Sequence, residues 1–352
     1  MLYQKSSFSY LLKKAAQQYG SGLPFVLYRK PRDKQIRAIF QKDAALNIVD
    51  DFQESGFVFA PFDTKKPTVL LKPDTLFSAI FSSNNYAGEN IHNMANEDTS
   101  AKKKYLEAVN NGIAEIKKGA LQKVVFSRQL EVSTRQLPFS IFERALQKYP
   151  SAFCYLFYHA KVGMWLGATP ERLLVVEDDT VKTVSLAGTS AAPEPVWSDK
   201  EREEQQMVTD FIFSALNDIT VSLTRSSVEN VRAGKLWHLK TDIMGHLQEE
   251  TPLKEIVLAL HPTPAVCGLP RDKAKQVIEG TEHHDREYYT GYLGELNIIK
   301  NKTADLYVNL RCMQLKPDRA TLYVGGGVTG ASDPESEWQE TQGKSQTMLG
   351  LL

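Results

Sequence analysis

The sequence predicts an α+β fold. Long β-branched and aromatic runs follow one another with only turns between them, helical stretches come in blocks rather than between single strands, and no internal repeat or low-complexity tract is present. In chain order, MLYQKSSFSYLLKKAAQQYG reads as an amphipathic helix, and from Leu23 to about Leu71 short β-rich runs (PFVLYRK, QIRAIF, FVFAPF, TVLL) alternate with turns. Ser82 to Asp98 is polar and Asn-rich, which predicts a loop. Thr99 or Ser100 caps a helix to about Lys118, with Leu106, Val109, Ile113 and Ile116 at helical spacing. Strands then dominate: KVVFSRQLEV, AFCYLFYH, GMWLGA, RLLVVE and TVKTVSL. Ser198 caps a long helix expected to reach about Leu223, and short helices follow near Glu255–Leu260 and Arg271–Gly280. YLGELNII, ADLYVNLRCMQL and ATLYVGGG predict three more strands before a last helix from Pro334. Residues 1–98 thus form a strand-rich amino-terminal part and 99–352 the part where polar residues fall in unusual places. The two are expected to make one structural unit.

The 352 residues are 42% hydrophobic and 24% charged, enough to bury a large core. Lys plus Arg equals Asp plus Glu at 42 each, so no basic excess points to nucleic acid, and an anionic ligand must be held by local groups. Cys154, Cys267 and Cys312 have no metal-site spacing, and two lie in apolar runs, which fits free thiols in a reducing cytoplasm. No signal-like segment and no run of about 18 apolar residues is present. The expectation is a soluble cytoplasmic monomer without membrane or nucleic-acid partners.

Four features carry chemistry. Glu201 and Glu204 stand three apart on the long helix, as do Glu337 and Glu340 on the last. That spacing puts each pair on one helix face. Facing each other, the pairs would make an all-oxygen site suited to Mg²⁺. With Glu203 and Lys200 beside them they also read as a solvated face. Gly325, Gly326 and Gly327 end a β-run, either as a tight turn or strand bend or as a place where backbone N–H groups approach an anion. Lys123 and Arg311 interrupt apolar runs, and Lys344 falls one turn after Glu340. Arg311 has the fork that grips a carboxylate, or serves an internal ion pair. Glu171, after Pro170 between two strands, is a surface turn residue or a desolvated general acid.

Together these suit a dianionic, oxygen-rich small molecule, and with them the segments KVVFSR, GATPERL, LAGTS, LWHLKTDI, LHPTPAVCGLP, REYYTGYLG, LYVNLRC and GGGVTGASDPESEWQET resemble, in order, the chorismate-utilising enzymes. Within that family they are most similar to the isochorismate synthase branch. The resemblance covers roughly residues 100 to 350. It implies large antiparallel sheets packed as a sandwich with helices outside. It also implies Mg²⁺-dependent conversion of chorismate to isochorismate, by water attack at C2 and loss of the C4 hydroxyl, feeding menaquinone or catechol siderophore synthesis. By the resemblance Lys123 is the base that activates water and Glu171 the acid that protonates the departing hydroxyl. Glu204 and Glu340 are magnesium ligands, assisted by Glu201 and Glu337. Arg311, Tyr289 and the backbone at Gly325 and Gly327 bind the enolpyruvyl carboxylate. Gly188, Thr189 and Lys344 line the ring-carboxylate and metal region, with His238 and Ala265 close to the ring.

Relatives that use ammonia usually carry glutamine where Lys123 stands, so the lysine favours water. HPTPAVCGLP favours isochorismate synthase over salicylate synthase, the nearest alternative. A silent chorismate-binding subunit would be expected to lose Lys123, Glu171 or a metal ligand, and all are present. A phosphoryl-transfer enzyme would follow its glycines with Lys-Ser or Lys-Thr, which is absent. The chain departs from the family in a short link from Thr189 to Lys200, in Gln205 where many relatives have histidine, in Gly326 where alanine is common, and in a short amino-terminal region.

Overall fold

The computed structural model describes residues 3–82, 99–190, 192, 194–233 and 236–352. The loop expected over Ser82–Asp98 lies almost wholly outside them.

Two large sheets face each other. The first runs, edge to edge, through strands Gln4–Lys5, Thr75–Ile80, Gln35–Phe40, Phe25–Arg29, Phe153–His159, Gly163–Thr169, Cys312–Leu315, Arg319–Val328, Lys123–Ser133 and Gly268–Leu269. The second contains Thr220–Arg225, Leu236–Leu247, Thr180–Ser190, Arg172–Glu177, Ala304–Val308, Tyr292–Leu296, Gly56–Ala60, Val69–Leu71 and Asn47–Ile48, with Glu229–Ala233 also paired to Leu236–Leu247. Apart from the parallel contact of Gln4–Lys5, the pairing is antiparallel. Amino-terminal strands are embedded in both sheets: Phe25–Arg29 pairs with Phe153–His159, and Gly56–Ala60 with Tyr292–Leu296.

Alternation decides the layers. Along Phe153–His159, Phe153, Tyr155 and Phe157 point between the sheets, where Phe57, Phe59, Trp165, Tyr307 and Tyr323 join them. Cys154 and Leu156 point the other way, under helices Phe8–Gly20 and Pro138–Lys148 with Leu11, Phe142 and Leu146. Helices Asp199–Asn217 and Leu253–Leu260 cover the second sheet through Val208, Ile212, Ile256 and Leu260. Thr99–Lys117, Arg271–Thr281 and Pro334–Leu349 cover the end of the first sheet through Val109, Phe126, Ala274 and Trp338. Each such fully buried side chain contributes about 1.5–3 kcal/mol. The sandwich with outer helices agrees with the expectation.

Two expectations are corrected. The helix from Ser198 ends at Asn217, and Thr220–Arg225 is a strand. Its run TVSLTR is β-prone and pairs with Leu236–Leu247. The run ADLYVNLRCMQL is two strands in different sheets, broken at Asn309–Arg311. The three glycines lie within the strand Arg319–Val328, opposite Ser127, Phe126 and Val125, as the run ATLYVGGG predicts. The hairpin partners Glu229–Ala233 and Leu236–Leu247 are strands the sequence reading did not assign. All three cysteines are free and buried. Among the described residues no helix is long and apolar enough to cross a membrane.

Candidate active site

Two neighbouring segments change sheets side by side. Gly163–Thr169 passes through Pro170–Glu171 into Arg172–Glu177, and Ala304–Val308 passes through Asn309–Arg311 into Cys312–Leu315. Corners of this kind are made by bends and bulges. Here Ala168 N–H donates to the Arg311 carbonyl (3.0 Å), Val308 N–H to the Glu171 carbonyl (3.0 Å), and Thr169 Oγ1 to the Val308 carbonyl (2.6 Å). Arg311 takes φ +48°, a conformation uncommon for a side-chain-bearing residue. The double crossing sets Glu171 and Arg311 at the rim of one cleft.

The cleft encloses about 880 Å³ of space, the solvent at its open mouth included. It is lined by Glu171, Gly188, Glu201, Glu204, His238, Ala265, Tyr289, Arg311, Gly325, Gly327, Glu340 and Lys344, all singled out from sequence. Lys123 is fully buried against Gly327 behind the lining, its Nζ 2.7 Å from Glu204 Oε1. Glu337 stands behind the lining, with Oε1 accepting from Lys200 Nζ (2.7 Å) and Ser332 Oγ (2.6 Å). The Thr189 side chain lies outside what is described. Lys200, which the sequence reading left on a solvated face, also lines the cleft. Its spacing four before Glu204 was the available signal.

The glycines are there for close approach. A β-carbon on Gly327 would lie 2.9 Å from Glu204 Oε1 and 3.0 Å from Lys123 Cε, and one on Gly325 would lie 3.0 Å from the Tyr289 hydroxyl. Gly188 has φ +72° and its carbonyl accepts from His238 Nδ1 at 2.8 Å. That contact makes Nδ1 the protonated nitrogen. Burial pulls the His238 pKa down to about 4, so the ring is neutral near pH 7.

Burial likewise pushes Glu171 up to about 7, against the opposing pull of Lys123, Arg311 and Lys344. Burial also lowers the Arg311 pKa, countered by Tyr289, Glu340 and Glu171, and an arginine stays charged. Among the described residues no carboxylate lies in ion-pair contact with Arg311, unlike Lys123, Lys200 and Lys344, which hold Glu204, Glu337 and Glu340. Lys344 also donates to the Gly325 carbonyl (3.1 Å). Glu340 is held below the usual carboxylate range because Lys344, Lys200 and Arg311 outweigh its burial. Glu201 reaches back to its own helix start, accepting from Ser198 N–H at 3.0 Å in a capping box. Gln205, the departure from histidine, is buried and donates to Thr209 (2.9 Å) and Thr241 (2.7 Å), fastening this helix to the second sheet.

As the side chains stand, no three acidic, histidine or cysteine groups among the described residues are gathered as metal ligands. The donor chemistry nonetheless fits a hard divalent ion. Glu201, Glu204 and Glu340 bring only carboxylate oxygens to one cleft from two helices, with Glu337 behind, and three of the four hold an ammonium where a cation would go.

Together with this two-sheet sandwich and its acid and arginine at a sheet-switching corner, residues 69–352 match the family described as chorismate binding enzyme. The chain belongs to that family. It is 32% identical over 247 residues to the isochorismate synthase EntC of Escherichia coli K12, covering 66% of this chain and 62% of that one. The chain therefore spans a little under two thirds of that relative's length. Its fold is similar to a structure described as a 2,3-dihydroxybenzoate-specific isochorismate synthase from Bacillus anthracis (TM-score 0.81, 23% identity, 97% of this chain and 99% of that one). It is also similar to anthranilate synthase component I from Streptococcus pneumoniae (TM-score 0.70, 19% identity, 93% and 92%). Proteins named for different reactions on one fold leave the choice of chemistry to the site.

Proposed function

We propose that the chain isomerises chorismate to isochorismate. The observation that carries this reading is that Glu171 lines the same cleft as Glu204, whose Oε1 holds the Lys123 ammonium at 2.7 Å, while burial pushes the Glu171 carboxyl up to about 7. Lys123 takes a proton from the water that bonds to C2, the two ring double bonds each shift by one position, and Glu171 gives its proton to the C4 oxygen as that C–O bond breaks. Water is a poor nucleophile and hydroxide a poor leaving group, so each step needs its proton carrier. Each carrier supplies a few kcal/mol, on the order of a hundredfold in rate. A lysine serves as a base only where its neutral amine is favoured, which desolvation and a nearby cation promote.

Arg311 and Tyr289, with the backbone at Gly325 and Gly327, take the enolpyruvyl carboxylate. Neutral His238 and Ala265 border the ring, and Lys344 and the Gly188–Thr189 turn border the ring carboxylate. Charge balance supports a metal. Lys123, Lys200, Arg311 and Lys344 face Glu201, Glu204, Glu337 and Glu340, so a dianion would enter a site with no surplus positive charge. Mg²⁺ held by Glu204 and Glu340, assisted by Glu201 and Glu337, would supply that surplus and neutralise the ring carboxylate.

Incubation of the purified protein with chorismate and Mg²⁺, followed by chromatography, tests the reading. Isochorismate is expected. Salicylate with pyruvate would make the chain a salicylate synthase, and unchanged chorismate would mark a silent binding protein.

A further inference from the structure

The helix Pro334–Leu349 is braced from behind. Trp338 packs against Tyr105 of Thr99–Lys117, with ring centroids 5.9 Å apart, and under the Arg128 guanidinium, 4.0 Å from the ring. Arg128 donates to Thr341 Oγ1 and Gln342 Oε1, both at 2.8 Å. Arg128 is thus satisfied by the helix it supports. The Tyr105 hydroxyl is not: Tyr105 is 3% exposed, and its hydroxyl has no hydrogen-bond partner among the described residues. A buried hydroxyl that has given up water without a replacement calls for an explanation.

Its surroundings supply one. A β-carbon on Gly326 would lie 2.9 Å from the Tyr105 hydroxyl and 3.5 Å from Glu337 Oε2. Hydroxyl and carboxylate border the same gap, which exists because residue 326 is a glycine in mid-strand, where glycine otherwise weakens pairing. Glu337 Oε1 is already engaged by Lys200 and Ser332. Oε2 is the oxygen on the Tyr105 side.

We propose that Tyr105 is a positioning residue for Glu337, donating its hydroxyl hydrogen to Oε2 through one water in the gap left by Gly326. The inference rests on the reading of these carboxylates as a cation site. Hydrogen-bond partners of this kind set the orientation of metal-binding groups. Lys200 and Ser332 serve one oxygen and Tyr105 the other.

Calorimetric titration of Mg²⁺ alone, without chorismate, into the wild type, Tyr105→Phe, Gly326→Ala and the double variant tests this, with thermal melts in parallel. Tyr105→Phe is expected to weaken Mg²⁺ binding about tenfold while leaving the melting temperature unchanged or raised. Gly326→Ala, whose methyl group fills the gap, is expected to weaken it similarly. The double variant is expected to lose little more than either single one, because both changes remove one bridge. Equal affinity of wild type and Tyr105→Phe, or additive losses in the double variant, would overturn the positioning role alone. A wild type that binds no Mg²⁺ would overturn the cation reading and this role with it.

Discussion

Lys123 and Glu204 meet across Gly327: the ammonium lies 2.7 Å from Glu204 Oε1, and the strand passes between them without a side chain. The lysine comes from the first sheet and the glutamate from the helix over the second, 81 residues on in the sequence. The Lys123 residue is fully buried, so Glu204 is its local counter-charge, and removing Glu204 leaves a buried charge uncompensated.

Gly327→Ala should therefore disturb both residues at once. Its methyl group would have to push Glu204 Oε1 or Lys123 Cε aside. Turnover is expected to fall at least tenfold, with a stability loss of about 1–3 kcal/mol. Steady-state kinetics and urea melts measure the two, and near-normal turnover would show that the close approach is dispensable.

Lys123→Ala and Glu171→Gln are each expected to abolish turnover while chorismate still binds, as read by product chromatography and by calorimetry with substrate. Glutamine keeps the volume of Glu171 but has no proton to give. Substantial turnover in either variant would remove that residue from its assigned role.

The raised pKa of Glu171 has two consequences. An acid must be protonated to act, so kcat/KM should fall as pH rises through about 7. A carboxyl whose folded pKa exceeds its unfolded one destabilises the fold increasingly as pH rises from the unfolded value, near 4.5, to the folded one, near 7. Glu171→Gln should then match the wild type in stability near pH 4 and exceed it by up to about 3 kcal/mol above pH 7. Chemical denaturation at both pH values measures the difference; a gap independent of pH would contradict the assignment.

Arg311 lacks a carboxylate partner in ion-pair contact among the described residues, so its guanidinium is free to take one from a ligand. Arg311→Lys keeps the charge and loses the fork. KM for chorismate is expected to rise about tenfold or more. An unchanged KM would place the enolpyruvyl carboxylate elsewhere.

Chelation should abolish turnover and added Mg²⁺ restore it. Full activity in excess chelator would dismiss the metal role.

Local pattern made much of this molecule readable. RLLVVE is the strand Arg172–Glu177 and QIRAIF the strand Gln35–Phe40, because β-branched and aromatic runs bounded by turns carry their signal within a few residues. The Ser198 cap and the i,i+3 glutamate pairs were legible for the same reason. What failed depended on distant partners. The helix after Ser198 stops six residues before Leu223 because Thr220–Arg225 has a strand waiting at Leu236–Leu247. ADLYVNLRCMQL breaks at Asn309–Arg311 because the chain changes sheets there, which nothing in that run announces.

The same division holds for the site. Which carboxylates share a helix face, which residue can donate a proton and which can grip a carboxylate follow from residue type and the 3.6-residue period, and the string alone carried them. That Lys200 would reach Glu337 from 137 residues away, that Gly327 would let Lys123 and Glu204 close on each other, and that burial would push the Glu171 carboxyl up were settled by the packing of two sheets and three helices. Periodicity is a property of one element, whereas burial and charge pairing arise only when the faces of several elements close on one another.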